Sequence, residues 1–162
     1  MTRRERLREE LVAEIKNAAR TRLNEAGAAE LSLRGIARDV GMSPASLYTY
    51  FDGLDDVITA LIVDSFDDQA AAIRVAAAGA RSVQTRLRRA TVAYRDWAHK
   101  HPEEFRLLYE SPIAGYQAPE DGPTVDAAIR VMTPFMELLH EAWTTGEIEA
   151  PPPGPPIDTK AT

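Results

Sequence analysis

Apolar residues recur along this chain at spacings of three and four, and nowhere in a sustained alternation. From Leu11 the stripe runs through Val12, Ile15, Ala18, Ala19, Leu23 and Ala26 and stops at Gly27, the signature of an amphipathic helix closed by a glycine. A longer stripe holds Leu54, Val57, Ile58, Leu61, Ile62, Phe66, Ala70, Ile73 and Ala77 and ends near Gly79. A third holds Val83, Leu87, Ala90, Tyr94 and Trp97 and ends at His101-Pro102. Proline cannot continue a helix but suits the first turn of the next, so Pro102 is expected to open a short helix carrying Phe105, Leu108 and Tyr109. Pro112, Gly115, Pro119, Gly122 and Pro123 mark a loop. The last stripe has Val125, Ala128, Ile129, Met132, Phe135, Met136, Leu139 and Trp143 and ends at Gly146. Pro134 inside it removes one backbone donor and crowds the carbonyl of Arg130, so this helix is expected to kink or restart there. The predicted fold class is all-α.

Residues 32–51, SLRGIARDVGMSPASLYTYF, carry a denser pattern. Ser32 reads as an N-cap for a short helix with Leu33, Ile36, Ala37 and Val40 on one face. Gly41 and Met42 follow, and Ser43-Pro44 is a second start signal, with a capping hydroxyl and a proline at the first helical position. The second helix is expected to turn Leu47, Tyr50 and Phe51 inward. Two short helices joined by a glycine-containing turn describe a helix-turn-helix. Ala37 is small where the helices must approach, Gly41 can take the positive φ of a sharp turn, and Leu47 closes the core between them. The alternative is a purely structural helical hairpin. These joint offsets favour DNA binding through the outward residues Pro44, Ala45, Ser46, Tyr48 and Thr49.

Charge sharpens that reading. The whole chain is acidic, with 19 Lys+Arg against 25 Asp+Glu in 162 residues. Residues 1–51 nevertheless carry 9 basic and 7 acidic side chains, a net of +2, while residues 52–162 carry 10 and 18, a net of −8. Arg3, Arg4, Arg6 and Arg8 crowd the start. They read either as the solvated start of a helix or as a surface for a polyanion. There is no Cys, hence no disulfide or thiolate chemistry. No apolar run reaches the length of a membrane span and no signal peptide opens the chain, so no membrane partner and a cytoplasmic location are expected.

The segment LSLRGIARDVGMSPASLYTYFDGLDDVITAL resembles the N-terminal domain of the TetR family of bacterial transcriptional repressors, with the likeness extending over about residues 8–65. AYRDWAHKHPEEFRLLYE, residues 93–110, is similar to the Trp and His-Pro signature of a TetR subgroup with a distinctive C-terminal regulatory domain. The resemblance implies a three-helix DNA-binding domain over 1–53 and a helical ligand-binding and dimerisation domain over 54–149, while five prolines in PPPGPP (151–156) lead us to expect a Pro-rich disordered tail over 150–162. It implies that the second short helix enters the major groove with Ser43, Pro44, Ala45, Ser46 and Thr49 toward base edges. Tyr48 and Tyr50 match phosphate contacts, which position without specifying. Arg34 matches a place where family members reach a base or phosphate, and a forked Arg on guanine makes it the expected base reader. Arg3 and Arg4, with Arg6 and Arg8, would add sequence-independent attraction. Two positions depart from the family: Leu54 stands where Lys is usual and Asp52 where a neutral or basic residue is common, and both reduce attraction to DNA. Asp52 reads structurally as an N-cap, with Asp55 favouring the helix dipole.

Downstream, the resemblance implies a pocket for a small apolar ligand. Candidates for its lining are Phe66, Tyr94, Trp97, Phe105, Tyr109, Tyr116, Phe135, Met136, His140 and Trp143, each of which also reads as plain core. The pocket is expected between the 83–101 and 124–145 helices, held open by a bend at Pro134. His99, His101 and His140 are scattered, so no metal site and no cofactor are expected; His101 reads as a favourable charge at a helix C-terminus. No phosphate loop, nucleophile elbow or zinc-binding helix appears, and Asp96 with His99 shares no triad motif, which argues against an enzyme. The expected partner is double-stranded DNA with an inverted repeat, bound by a homodimer. That dimer is expected to be weakened, because the family pairs two C-terminal helices per subunit and only one clear helix follows residue 123. The alternative is a ligand-independent DNA-binding or adaptor protein whose C-terminal half only packs on a partner.

Overall fold

The structure is a computed structural model, and it describes residues 2–110, 113–118 and 121–148. Among these residues there are seven α-helices and no strand: α1 (Arg3–Ala26), α2 (Leu33–Val40), α3 (Pro44–Leu47), α4 (Leu54–Ala77), α5 (Val83–Lys100), α6 (Pro102–Tyr109) and α7 (Pro123–Thr144). The all-α expectation holds. No helix of the described residues is long and apolar enough to cross a membrane. The Pro-rich segment expected to be disordered lies outside the described residues.

Helix α1 begins well before its apolar stripe. Thr2 and Glu5 form a capping box: the Glu5 N–H donates to Thr2 Oγ1 (3.2 Å) and the Thr2 N–H donates to Glu5 Oε2 (2.7 Å). Two otherwise orphaned donors are satisfied, so the Arg-rich segment is helical. Only Ile15, Ala19 and Leu23 of α1 are buried.

Helix α4 is the axis of the molecule. Its buried residues Val57, Ile58, Leu61, Ile62, Phe66, Ala70, Ile73 and Ala77 cover more than one face, and the helix packs on α1 and also on α5, α6 and α7. A helix apolar on several sides must be covered on several sides. The expectation for its start needs correction. Gly53, not Asp52, is the N-cap, and the Asp52 N–H instead donates to Asp56 Oδ2 at 3.0 Å. The start of α4 has no side-chain cap.

Ion pairs join α1 to the rest. Lys16 Nζ lies 2.7 Å from Asp64, and Arg20 lies 3.5 Å from both Asp68 and Glu104. Glu104 is buried, accepts from Ser65 Oγ at 2.9 Å and has His101 Nδ1 at 3.3 Å. A buried carboxylate needs such partners. His101 is the C-cap of α5, its backbone N–H donating to the Trp97 carbonyl at 2.9 Å, and its ring stacks on Trp97 at 5.0 Å.

Helix α7 runs through Pro134 without restarting. The carbonyl that the proline leaves without its helical donor is that of Arg130, and Arg74 Nη2 of α4 donates to it at 3.4 Å. The side chains that α7 turns inward are also not those the large apolar residues mark. Thr124, Ala127, Val131, Pro134, Leu138 and Ala142 are buried, whereas Val125, Ile129, Met132, Met136, Leu139 and Trp143 are exposed.

Candidate nucleic-acid interface

The turn between α2 and α3 is built by backbone chemistry that the sequence states openly. Ser32 Oγ accepts from the Gly35 N–H at 3.2 Å and starts α2. Gly41 ends it in the left-handed region, φ 73°, while the Met42 N–H reaches the Ala37 carbonyl at 2.8 Å. Ser43 Oγ then accepts from the Ser46 N–H at 3.1 Å, with Pro44 at the first helical position. Ile36, Ala37 and Leu47 are completely buried between the helices.

Helix α3 is shorter than expected. Regular α-helix covers only Pro44–Leu47, and the chain continues as tight turns in which Thr49 and Tyr50 N–H groups donate to Ser46 and Leu47 carbonyls. The Phe51 N–H returns to the Leu47 carbonyl at 3.1 Å, so Phe51 still reaches the core. The presented surface keeps its composition: Arg34, Ser43, Pro44, Ala45, Ser46, Tyr48 and Thr49 are all exposed. Arg34 makes no ion pair among the described residues. Ser43 and Ser46 share a hydroxyl–hydroxyl hydrogen bond of 2.8 Å, which orients Ser46 while leaving acceptor capacity. Arg3, Arg4 and Arg6 are exposed and bear no ion pair among the described residues.

Three residues act here in ways the sequence reading missed. Arg8 Nη1 donates to the Thr49 carbonyl at 3.1 Å, and its guanidinium lies 5.2 Å from the centre of the half-buried Tyr50 ring. Arg8 thus fastens α1 to the end of the reading turn. Arg22 forks onto Asp39, Nε to Oδ2 at 2.5 Å and Nη2 to Oδ1 at 3.0 Å. The hydrogen bond from Arg22 holds the Asp39 carboxyl below its usual range, and the same bond raises Arg22. The guanidinium lies over Gly35, where an added Cβ would stand 2.7 Å from Arg22 Cζ. A glycine facing a forked Arg pair was the available signal.

The regulatory candidates divide in two. Phe66, Tyr94, Phe105, Tyr109 and Phe135 form one connected aromatic cluster drawn from α4, α5, α6 and α7, with ring centres 4.6–6.5 Å apart. Tyr109 donates to Gln69 Oε1 at 3.1 Å, and burial together with the neighbouring Tyr94 pushes its phenol up from the ordinary value. Trp97 is buried, while Met136, His140 and Trp143 are exposed on α7. A concavity of about 620 Å³ is present, and it is not between α5 and α7. It lies between α4, α6, the 113–118 loop and the start of α7, and only Phe66 and Tyr116 of the aromatic candidates line it. Beside Pro134 there is only a smaller cleft, bordered by Arg74, Arg86 and Glu137.

An exposed helix-turn-helix, capped at both helix starts and tied by Arg8 and Arg22 to a long first helix, on an all-helical body, defines the architecture of a transcriptional regulator. Residues 15–61 match the family described as bacterial regulatory proteins, tetR family, and residues 87–160 match the tetracyclin repressor-like C-terminal domain. The HTH-type transcriptional regulator Rv1816 of Mycobacterium tuberculosis is 37% identical over 147 residues, which is 87% of this chain and 61% of that protein. The crystal structure of the candidate regulatory protein SCO4313 superposes with a TM-score of 0.72 at 37% identity, covering 88% of this chain and 67% of that one. A protein of unknown function from Rhodococcus sp. RHA1 gives a TM-score of 0.76 at 27% identity, covering 87% and 72%. This chain belongs to the TetR family of transcriptional regulators. It spans 61% of the length of the first curated relatives it matches.

Proposed function

We propose that this protein is a sequence-specific repressor that binds an inverted-repeat operator as a homodimer and is released by a small apolar ligand. The observation that carries the reading is the exposed set Arg34, Ala45, Ser46, Tyr48 and Thr49 on a turn whose backbone is fixed at Ser32, Gly41 and Ser43. Arg34 reads a base, Tyr48 meets phosphate, and the exposed Arg3, Arg4 and Arg6 add salt-dependent attraction. The exposed residues of α7 support the homodimer. Val125, Ile129, Met132, Met136, Leu139 and Trp143 follow each other at spacings of four and three, a heptad seam. A second copy of the same seam is self-complementary about a two-fold axis, the symmetry an inverted repeat requires.

Selection of bound duplexes from a random pool tests the reading and is expected to return an inverted repeat. Arg34→Ala should then cost about 1–3 kcal/mol and relax preference at one base pair per half-site. If affinity and the selected motif both survive that substitution, Arg34 does not read a base.

A further inference from the structure

The cleft of about 620 Å³ between α4, α6, the 113–118 loop and α7 has an unusual wall: among its described lining residues there is no Asp, Glu, Lys, Arg or His. Ile62 and Phe66 of α4 and Leu107 and Leu108 of α6 make its floor apolar. The polar groups are Tyr116, Gln117 and Thr124. Tyr116 is already engaged, its hydroxyl 3.0 Å from Thr59 Oγ1. Thr124 is not. It is only 5% exposed, and its Oγ1 is buried with no hydrogen-bond partner. A buried hydroxyl without a partner is costly and rare, and a ligand that supplies the missing partner recovers that cost.

Position adds to this. Thr124 sits in the first turn of α7, a helix of 22 residues whose N-cap, Gly122, has no side chain to satisfy the helix start. That end favours an electron-rich ligand atom. A carboxylate, however, would find no counter-charge in the wall, and the exposed Asp121 and Asp126 stand within three residues of Thr124. A cation would find no carboxylate among the described lining residues. What remains is a neutral molecule. We propose that this cleft binds an uncharged, mainly apolar ligand carrying one hydrogen-bond-accepting oxygen, a ketone or ester, which accepts a hydrogen bond from the Thr124 hydroxyl. The volume is that of an ordinary small-molecule pocket. The proposal rests on the ligand-release reading above and names the ligand class. The wall also explains how such a ligand acts. Leu107 and Leu108 share α6 with Glu104, which pairs across 3.5 Å with Arg20 of α1, so a molecule lodged against α6 bears on the element that carries the reading turn.

Calorimetry on the full chain with three ten-carbon probes tests the ligand class: 2-decanone, decanoate and decylammonium. 2-Decanone is expected to bind more tightly than either ion. Thr124→Val, which keeps the shape and removes the hydroxyl, should weaken 2-decanone about five- to tenfold, the worth of one hydrogen bond, while Thr124→Ser retains it. Without any probe the Val variant should melt higher than the native chain, because the unpartnered hydroxyl is gone. Absence of 2-decanone binding, equal binding by the Val variant, or a preference for either ion overturns the proposal. Binding as expected with no effect on operator retention would leave the site standing and defeat ligand release instead.

Discussion

In the helix-turn-helix, the apolar residues that the pattern marks are covered: Leu47 is completely buried and Phe51 is 8% exposed. On α7 the opposite holds, with Met136 60% and Trp143 63% exposed while the small Ala127 and the modest Val131 face inward. Both regions are amphipathic helices of one chain. The difference lies in where the partner is found. The α2–α3 unit closes over Ala37 and Leu47 within about twenty residues and packs on α1. Helix α7 turns its small residues to α4 and α5 and leaves its large ones exposed among the described residues. A periodic apolar stripe therefore fixes a helix and its faces, but not which of two faces is inner.

The comparison breaks first if the head is not self-closing. Leu47→Ala should cost about 2–5 kcal/mol, the range for a fully buried leucine in a well-packed core. It should abolish operator binding through loss of the turn and leave the sedimentation behaviour of the remaining folded protein unchanged. A loss under 1 kcal/mol by denaturant titration would mean that the turn is held from elsewhere.

Met136→Glu addresses the other region. Removing a methionine from a paired seam forfeits about 2 kcal/mol of burial, and the two-fold brings like charges together, so the dimer dissociation constant should rise about thirtyfold or more. Far-ultraviolet circular dichroism of the monomer should not change, since Met136 touches solvent in the folded subunit. Equal sedimentation of the variant and the native chain would remove α7 from the interface.

How much of this was legible varies with the range of the contacts. Ser32, Gly41, Ser43-Pro44 and Leu47 act on residues a few positions away, so their roles are written locally and the structure repeats them. The start of α4 was misread even at short range, because Gly53 takes the extended N-cap conformation and the Asp52 N–H is drawn instead to Asp56. The cleft of about 620 Å³ was not legible because its walls come from four separated segments, and no periodicity says that α6 and the 113–118 loop meet the start of α7. The carbonyl that Pro134 leaves without its helical donor is served by Arg74, a residue 56 positions away, which no local pattern announces. Arg8 and Arg22 were legible as charges but not as fasteners.

The smallest effect tests whether the Arg22 fastener is real. Gly35 lies inside α2, where replacing glycine by alanine ordinarily stabilises a helix by about 0.5–1 kcal/mol. Here the new Cβ would stand 2.7 Å from Arg22 Cζ, and the guanidinium cannot retreat without leaving Asp39. Gly35→Ala should therefore give little or no gain in the native background and the full gain once Arg22 is also Ala. The coupling has a pH signature. The Asp39 carboxyl is held below its ordinary value by the Arg22 hydrogen bond, so the pair contributes fully above the unfolded carboxylate value of about 3.9 and is lost as pH falls through the lower folded value. A double-mutant cycle by thermal or denaturant melting should show the non-additivity at pH 7 and its disappearance in strong acid, provided the native state persists there. Additive effects at pH 7 would mean that Arg22 swings aside freely and that α1 and α2 are held together by Ile15, Ala19 and Ile36 alone.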